Sequence, residues 1–121
     1  MPFNHILADL VDAVAGASGA ILADWEGESV AHYYLHDDDY DLKVLGAHKG
    51  IILSQMKEVH SSLGGGALRE AVITTTTQHV LIGAIGSDYV LVMSLIRESL
   101  IGLAVHRFRG CLDVLYKEIY E

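Results

Sequence analysis

The sequence predicts one α/β (α+β) domain in which a five-stranded antiparallel sheet is sandwiched between one long helix and two terminal helices, in the order α-β-β-α-β-β-β-α. Two observations predict this class. Apolar residues recur at three- and four-residue steps in three segments, and β-type runs in groups of two and three separate those segments. The chain has 121 residues, 51% of them apolar, which predicts a single domain over residues 1–121.

The first 35 residues predict a short helix and then a β-hairpin. After a candidate cap at Asn4, apolar residues at helical spacing form one face, and the segment from Gly16 to Gly19 ends the helix. That face comprises Ile6, Leu7, Leu10, Val11, Val14 and Ala17. The runs GAILADW and SVAHYYL then flank the acidic glycine turn EGE, a pattern typical of a hairpin.

A long helix is predicted over residues 39–62, and it carries two apolar stripes. The broader stripe suits packing on a sheet and comprises Leu42, Leu45, Ile52, Leu53, Met56, Val59 and Leu63. The second lies on nearly the opposite side and comprises Val44, Ala47 and Ile51, flanked by His48 and Gln55. Because a helix at the surface of a monomer needs only one apolar stripe, the second predicts a protein interface.

Three further runs, LREAVITTTT, HVLIGAI and YVLVMSLI, predict an antiparallel meander. Threonine hydroxyls suit an exposed surface, so the first run is expected to be an edge strand that extends to Thr76. Apart from Arg69 and Glu70 it carries little charge that would prevent pairing with another chain. The predicted dimer interface therefore also includes Ala71, Ile73 and Thr75.

The last helix is predicted from about Glu98 to Tyr120. Its apolar face comprises Ile101, Ala104, Val105, Phe108, Cys111, Leu112, Leu115 and Ile119, and its polar face His106, Arg109, Asp113 and Lys117. Gly102 and Gly110 each cost about 1 kcal/mol relative to alanine inside a helix. This cost predicts a close approach of the helix backbone to a neighbouring element.

Taken together, these patterns resemble the Roadblock family, which includes dynein light chains, endosomal scaffold subunits and bacterial gliding-motility regulators of Ras-like GTPases. The resemblance rests on the element order, on GASGAILADWEGESVA as the first hairpin, on VLIGAIGSDYVLVMSL as the last, and on the glycine in SLIGLAVHRF. It implies a homodimer in which the long helix and the third strand meet their copies, so that ten strands form one sheet.

The resemblance also implies a non-enzymatic, cytoplasmic module that binds a Ras-like small GTPase and scaffolds it or regulates its nucleotide cycle. Candidate partner-binding residues are Asp37, Asp38, Asp39, Lys43 and Lys57. No arginine has a context that marks it as an arginine finger. The alternative is a PAS-like small-ligand sensor, which would need a cavity on the concave face of the sheet.

The stretch HDDDYD, residues 36–41, is the most conspicuous candidate for a metal site. It supplies acids at the first, third and fifth positions of a calcium loop, but Leu42 and His48 stand where glycine and glutamate are required. We interpret the acids as capping and charging the long helix. A hydrolase that uses a metal at His36, Asp37 and Asp39 is the weaker alternative. No catalytic residue, cofactor or metal is expected, and Cys111 should be buried and inert.

Charge and hydropathy exclude two classes of partner. The net charge is −8, and residues 1–41 contain nine acidic residues and no Lys or Arg, so nucleic acid is a poor partner. The sequence has neither a secretory signal at its start nor an apolar run long enough for a membrane span, so no membrane insertion is expected.

Overall fold

The computed structural model describes residues 2–24, 28–35 and 69–121, and these contain two helices and five strands. In chain order they are helix α1 (Pro2–Ala13), strands β1 (Ala17–Asp24), β2 (Ser29–Tyr34), β3 (Glu70–Thr74), β4 (Gln78–Ile85) and β5 (Tyr89–Ile96), and helix α2 (Ile101–Tyr120). The helix predicted over residues 39–62 lies outside the described residues.

The five strands form one antiparallel sheet in the order β2-β1-β5-β4-β3, which confirms the predicted sheet, hairpin and meander. The first hairpin joins the meander through β1 and β5, where Ile21 lies opposite Val92. Strand β3 is an edge strand, as the threonine-rich run predicted, and β2 is the other edge.

Both described helices pack on the same face of the sheet. Successive strand residues point to opposite faces, so alternate positions of each strand contribute to this core. Helix α1 buries Leu7, Leu10, Val11 and Val14, and α2 buries Ala104, Phe108, Cys111 and Leu115. Strands β1, β4 and β5 meet them with Ala20, Leu22, Leu81, Ile85, Leu91, Met93 and Leu95. Each large aliphatic or aromatic side chain fully buried here stabilises the fold by about 1.5–3 kcal/mol.

The opposite face of the sheet is apolar and buried too. Its cluster comprises Ile21, Ala23, Val80, Ile82, Val90 and Val92, with Tyr34, Ala71 and Ile73 partly buried beside it. The sheet therefore carries buried apolar side chains on both of its faces.

The predicted starts of both described helices were wrong, each by a few residues. Helix α1 begins at Pro2, so Asn4 lies inside it and is not its cap; proline suits a first helical turn because its missing N–H has no intrahelical partner there. Helix α2 begins at Ile101 and not at Glu98, after a turn in which Ser99 N donates to the Ile96 carbonyl.

The predicted close approach at the helix glycines was also wrong. A Cβ atom built on Gly102 or Gly110 would have no heavy atom of residues 2–24, 28–35 and 69–121 within 4 Å. Instead, Gly83 on β4 lets α2 approach the sheet, since a Cβ there would lie 2.7 Å from Leu112 Cδ1 and 2.8 Å from Phe108 Cε2. The small residue that permits this contact is on the strand, where a side chain would press against the helix.

Candidate interaction site at the edge of the sheet

The free edge of β3 presents a row of backbone groups that the sheet does not use. Residues of an antiparallel pair alternate between those bonded to the neighbouring strand and those that point away from it. Thr75 N donates to the Gln78 carbonyl at 2.8 Å, and Ala84 N donates to the Arg69 carbonyl at 2.8 Å. Odd-numbered residues therefore bond to β4, and the N–H and C=O groups of Glu70, Val72 and Thr74 point outward.

The interface residues predicted on this strand, Ala71 and Ile73, are not the ones whose backbone groups point outward. Ala71 and Ile73 lie opposite Ile82 and Val80 of β4, and their side chains pack on the cluster that faces away from α1 and α2. Their side chains border the edge, while their backbone groups are taken up by β4. The other predicted interface residues, Val44, Ala47, His48, Ile51 and Gln55, lie outside the described residues, as do Asp37, Asp38, Asp39, Lys43 and Lys57.

Thr75 lies in the turn after β3, because the strand ends at Thr74 and not at Thr76 as predicted. Its hydroxyl oxygen accepts hydrogen bonds from Thr77 N at 3.2 Å and Gln78 N at 3.1 Å. Threonine hydroxyls bond readily to nearby backbone donors, and this competes with extension of the strand. The run of four threonines thus marks the end of the edge strand as well as its exposed surface.

An ion pair ties the start of β3 to α2. Arg109 donates through Nε to Glu70 Oε1 at 2.8 Å, and its Nη2 donates to the same oxygen. This hydrogen bond and the charge of Glu70 raise the pKa of Arg109 above its ordinary value. Arg109 was predicted on the polar face of the last helix, and its partner 39 residues away was not apparent from the sequence.

A buried histidine supports the other end of β3. His79 at the start of β4 is buried, its Nε2 lies 3.0 Å from the Arg97 carbonyl oxygen and its Nδ1 lies 2.8 Å from Thr74 Oγ1. A carbonyl can only accept, so Nε2 donates to the Arg97 carbonyl, and Nδ1 lies within hydrogen-bond distance of the threonine hydroxyl. Both ends of the edge strand are thus held by side chains from neighbouring elements.

The prediction that Cys111 is buried is confirmed. The thiol is buried on the core face of α2, and this burial raises its pKa to about 12. No group of three or more His, Cys, Asp or Glu side chains that could hold a metal occurs within residues 2–24, 28–35 and 69–121. The stretch HDDDYD lies outside these ranges.

Comparison with known families identifies the fold. A model of the Roadblock/LC7 domain matches residues 4–94 of the chain. The chain belongs to the Roadblock/LC7 family. The predicted family resemblance is thereby confirmed, and the edge described above is the β3 edge of a Roadblock/LC7 domain. A search among curated proteins found no match.

Solved structures of similar fold cover nearly the whole Roadblock/LC7 chain. A Roadblock/LC7 domain from Streptomyces avermitilis is 17% identical with a TM-score of 0.86, and the match covers 98% of both chains. Myxococcus xanthus MglB is 19% identical with a TM-score of 0.86, and the match covers 97% of this chain and 94% of that one. Myxococcus xanthus MglC is 21% identical with a TM-score of 0.70, and the match covers 98% and 100%. At these identities the likeness concerns the fold.

Neither described helix is long and apolar enough to cross a membrane.

Proposed function

We propose that this Roadblock/LC7 chain is a cytoplasmic homodimeric module that binds a Ras-like small GTPase and scaffolds it or regulates its nucleotide cycle. The observation that carries the proposal is the β3 edge, where three residues offer unused backbone groups while side-chain contacts hold both strand ends. Natural proteins usually blunt such an edge with charge, proline or a bulge. Here the only charged residue of β3, Glu70, is paired with Arg109.

The alternation of inward and outward backbone groups along β3 determines the register in which two copies would pair. A two-fold axis at Val72 places Val72 opposite its own copy and Glu70 opposite Thr74 of the other chain. All six outward groups of each strand then find a partner, and the sheet continues through both chains. Val72, whose side chain is 48% exposed, becomes covered by its copy. The second stripe of the predicted long helix, at Val44, Ala47 and Ile51, is proposed to complete this interface.

Membership of the family, whose members are generally regulators or adaptors without catalytic activity, supports the proposal of a GTPase partner. Of the arginines that could act on a bound nucleotide, Arg109 is engaged by Glu70. Arg69, Arg97 and Arg107 have no sequence context that marks an arginine finger, so we propose that the chain acts by contact with the GTPase. Asp37, Asp38, Asp39, Lys43 and Lys57 are the proposed contact residues.

Affinity purification of the tagged chain from its native cells tests the partner. We expect a small GTPase to co-purify and the purified chain alone to turn over no GTP. Purified GTPase is then tested in its GDP state and with a non-hydrolysable GTP analogue. Absence of binding in both nucleotide states would contradict the proposal.

A charge-neutralised variant tests the proposed acidic contact. Replacing Asp37, Asp38 and Asp39 by Asn should weaken GTPase binding roughly tenfold at low salt and less at high salt, because exposed charge pairs are screened. The matched control replaces Glu28, Glu98 and Glu118 by Gln, which changes the net charge equally at exposed positions. Equal affinity of the two variants would remove the acidic residues from the contact.

A further inference from the structure

The outer sides of α1 and α2 form a second surface, which is separate from the β3 edge. The helices run antiparallel, and Ser99 Oγ, just before α2, donates to the Ala15 carbonyl just after α1. A groove of about 330 Å³ lies between them. Its floor is apolar, and its lining residues are Ile6, Asp9, Leu10, Ala13, Arg107, Cys111 and Val114.

Helix α2 continues this groove as an exposed stripe. Leu103, Arg107, Gly110 and Val114 recur at steps of three and four residues, which places them along one side of the helix. Leu103 is 50% and Val114 47% exposed, which is high for aliphatic side chains that lie together. We call these four residues, with Ile6, Asp9, Leu10 and Ala13 of α1, the α1/α2 surface.

Gly110 on this surface has no explanation within the described part of the chain. Mid-helix glycine costs about 1 kcal/mol relative to alanine, and no heavy atom lies within 4 Å of where its Cβ would be. The open space above Gly110 would let the backbone of another helix come close to α2, as small residues permit at helix contacts.

Charged side chains of opposite sign line the two walls of the groove. Asp9 and Asp12 lie on the exposed side of α1, which contains no Lys or Arg. Arg107 lies on the facing wall of α2 and makes no ion pair with any residue of the described ranges, while Asp9 is 3.6 Å from His5 on its own helix. An acidic side chain on α1 and a basic side chain on α2 thus line opposite walls of the same groove.

We propose that a second copy of this chain packs face to face on the α1/α2 surface, with Asp9 of each copy opposite Arg107 of the other. A two-fold axis parallel to the groove lays α1 of one copy over α2 of the other, so both charge pairs form. A two-fold axis across the helices would instead lay α1 over the α1 of the other copy, and this helix carries two aspartates and no Lys or Arg. The charge pattern therefore selects the first arrangement and a copy of the same chain as the partner.

The size of the surface suits a specific contact. A helix of the 20 residues in α2 is about 30 Å long, and two neighbouring helices present a strip about 20 Å wide. Helix α1 has 12 residues and is only about 18 Å long, so the two copies together would bury up to about 1,000 Å². This area is at the threshold for a specific interface and suits a contact that dissociates on dilution. This contact is separate from the β3 edge, so the two together would build a tetramer from two dimers.

Charge reversal in a background that lacks the β3 contact tests this contact alone. With Val72→Pro present, sedimentation velocity should show a dimer that dissociates on dilution. Asp9→Lys or Arg107→Glu should each weaken this dimer about tenfold or more at low salt, since two attractive pairs become repulsive. An equimolar mixture of the two single variants should restore the dimer, because each variant then meets opposite charges on the other. The double variant should restore it as well.

The controls keep the charge change and move it elsewhere. Glu28→Lys and Arg69→Glu alter exposed residues outside the α1/α2 surface and should leave the association unchanged. Gly110→Gln fills the space above α2 without a charge change and should abolish the dimer while the helical circular dichroism stays the same.

Two results would overturn the proposal. The first is a folded Val72→Pro chain that stays monomeric at all concentrations, even if a different protein is found to bind the groove. The second is a mixture of the two single variants that does not reassociate. Should Val72→Pro fail to fold, the same charge variants are measured in the otherwise unchanged chain as a tetramer-to-dimer change. Failure of the β3 dimer would appear separately, in the comparison of Val72→Pro with Val72→Thr.

Discussion

Replacing Val72 by proline tests the β3 edge by removing a single outward N–H group. The Val72 N–H points away from β4, so proline at this position removes an outward donor and leaves the hydrogen bonds between β3 and β4 intact. Ala71, the residue before it, is already in a strand, which is the conformation that a following proline favours. Each folded subunit should therefore tolerate the change.

The effect on the dimer follows from the proposed pairing. Two Val72 N–H groups, one from each chain, lose their bonds to the Val72 carbonyls, at about 0.5–1.5 kcal/mol each. The loss of about 2 kcal/mol corresponds to a dissociation constant about thirtyfold higher. This is a minimum, because the proline ring also occupies the space in which the opposite carbonyl would lie.

Sedimentation velocity over a concentration series that spans the wild-type midpoint measures this shift, with circular dichroism melts as the check on folding. Val72→Thr keeps the N–H and the branched Cβ and should dimerise like the wild type. Ile73→Pro removes a donor to β4 and should lower the melting temperature of the subunit instead. The reasoning is refuted if folded Val72→Pro dimerises as tightly as the wild type, or if Val72→Thr dissociates equally.

Two stability predictions address residues inside the fold. Gly83→Ala should destabilise the chain by about 1–3 kcal/mol, because its Cβ would lie within 3 Å of Phe108 and Leu112, whereas Gly102→Ala, with open space, should stabilise it by up to about 1 kcal/mol in urea unfolding. Equal effects of these alanines would contradict the packing described for Gly83. The Cys111 thiol has a pKa raised by burial to about 12, above the ordinary 9.0, so it favours the folded state fully below pH 9. That contribution should be lost as pH rises from 9 to 12, by about 1.4 kcal/mol per pH unit, and unfolding free energies of Cys111→Ala should lack this part of the slope.

Much of the fold was accessible from local sequence patterns. Period-two runs predicted the five strands, and period-3.6 runs predicted α1, α2 and the residues that each buries, because side-chain direction in a strand or helix depends only on position along it. The glycine-containing turns predicted where neighbouring strands would pair. The edge position of β3 followed from its threonines, since their hydroxyls suit solvent.

Less of the candidate site could be predicted from the sequence. Side-chain type predicted the interface residues on β3. The N–H and C=O groups that point outward at the edge instead belong to the backbone of Glu70, Val72 and Thr74. Whether even or odd residues face outward depends on the register with β4, which residue types do not encode. His79 and Arg109 were also missed as supports of β3, because their partners lie on elements distant in sequence.

By itself, the sequence determined the kinds of elements, their order and the apolar face of each helix, because these follow from periodicity within short segments. Only the tertiary structure decided the strand order, the outward hydrogen bonds of β3, the glycine that admits α2 and the facing of Asp9 and Arg107 across one groove. Each of these depends on contacts between residues far apart in the chain, and such contacts exist only once the sheet has assembled and the helices have packed on it.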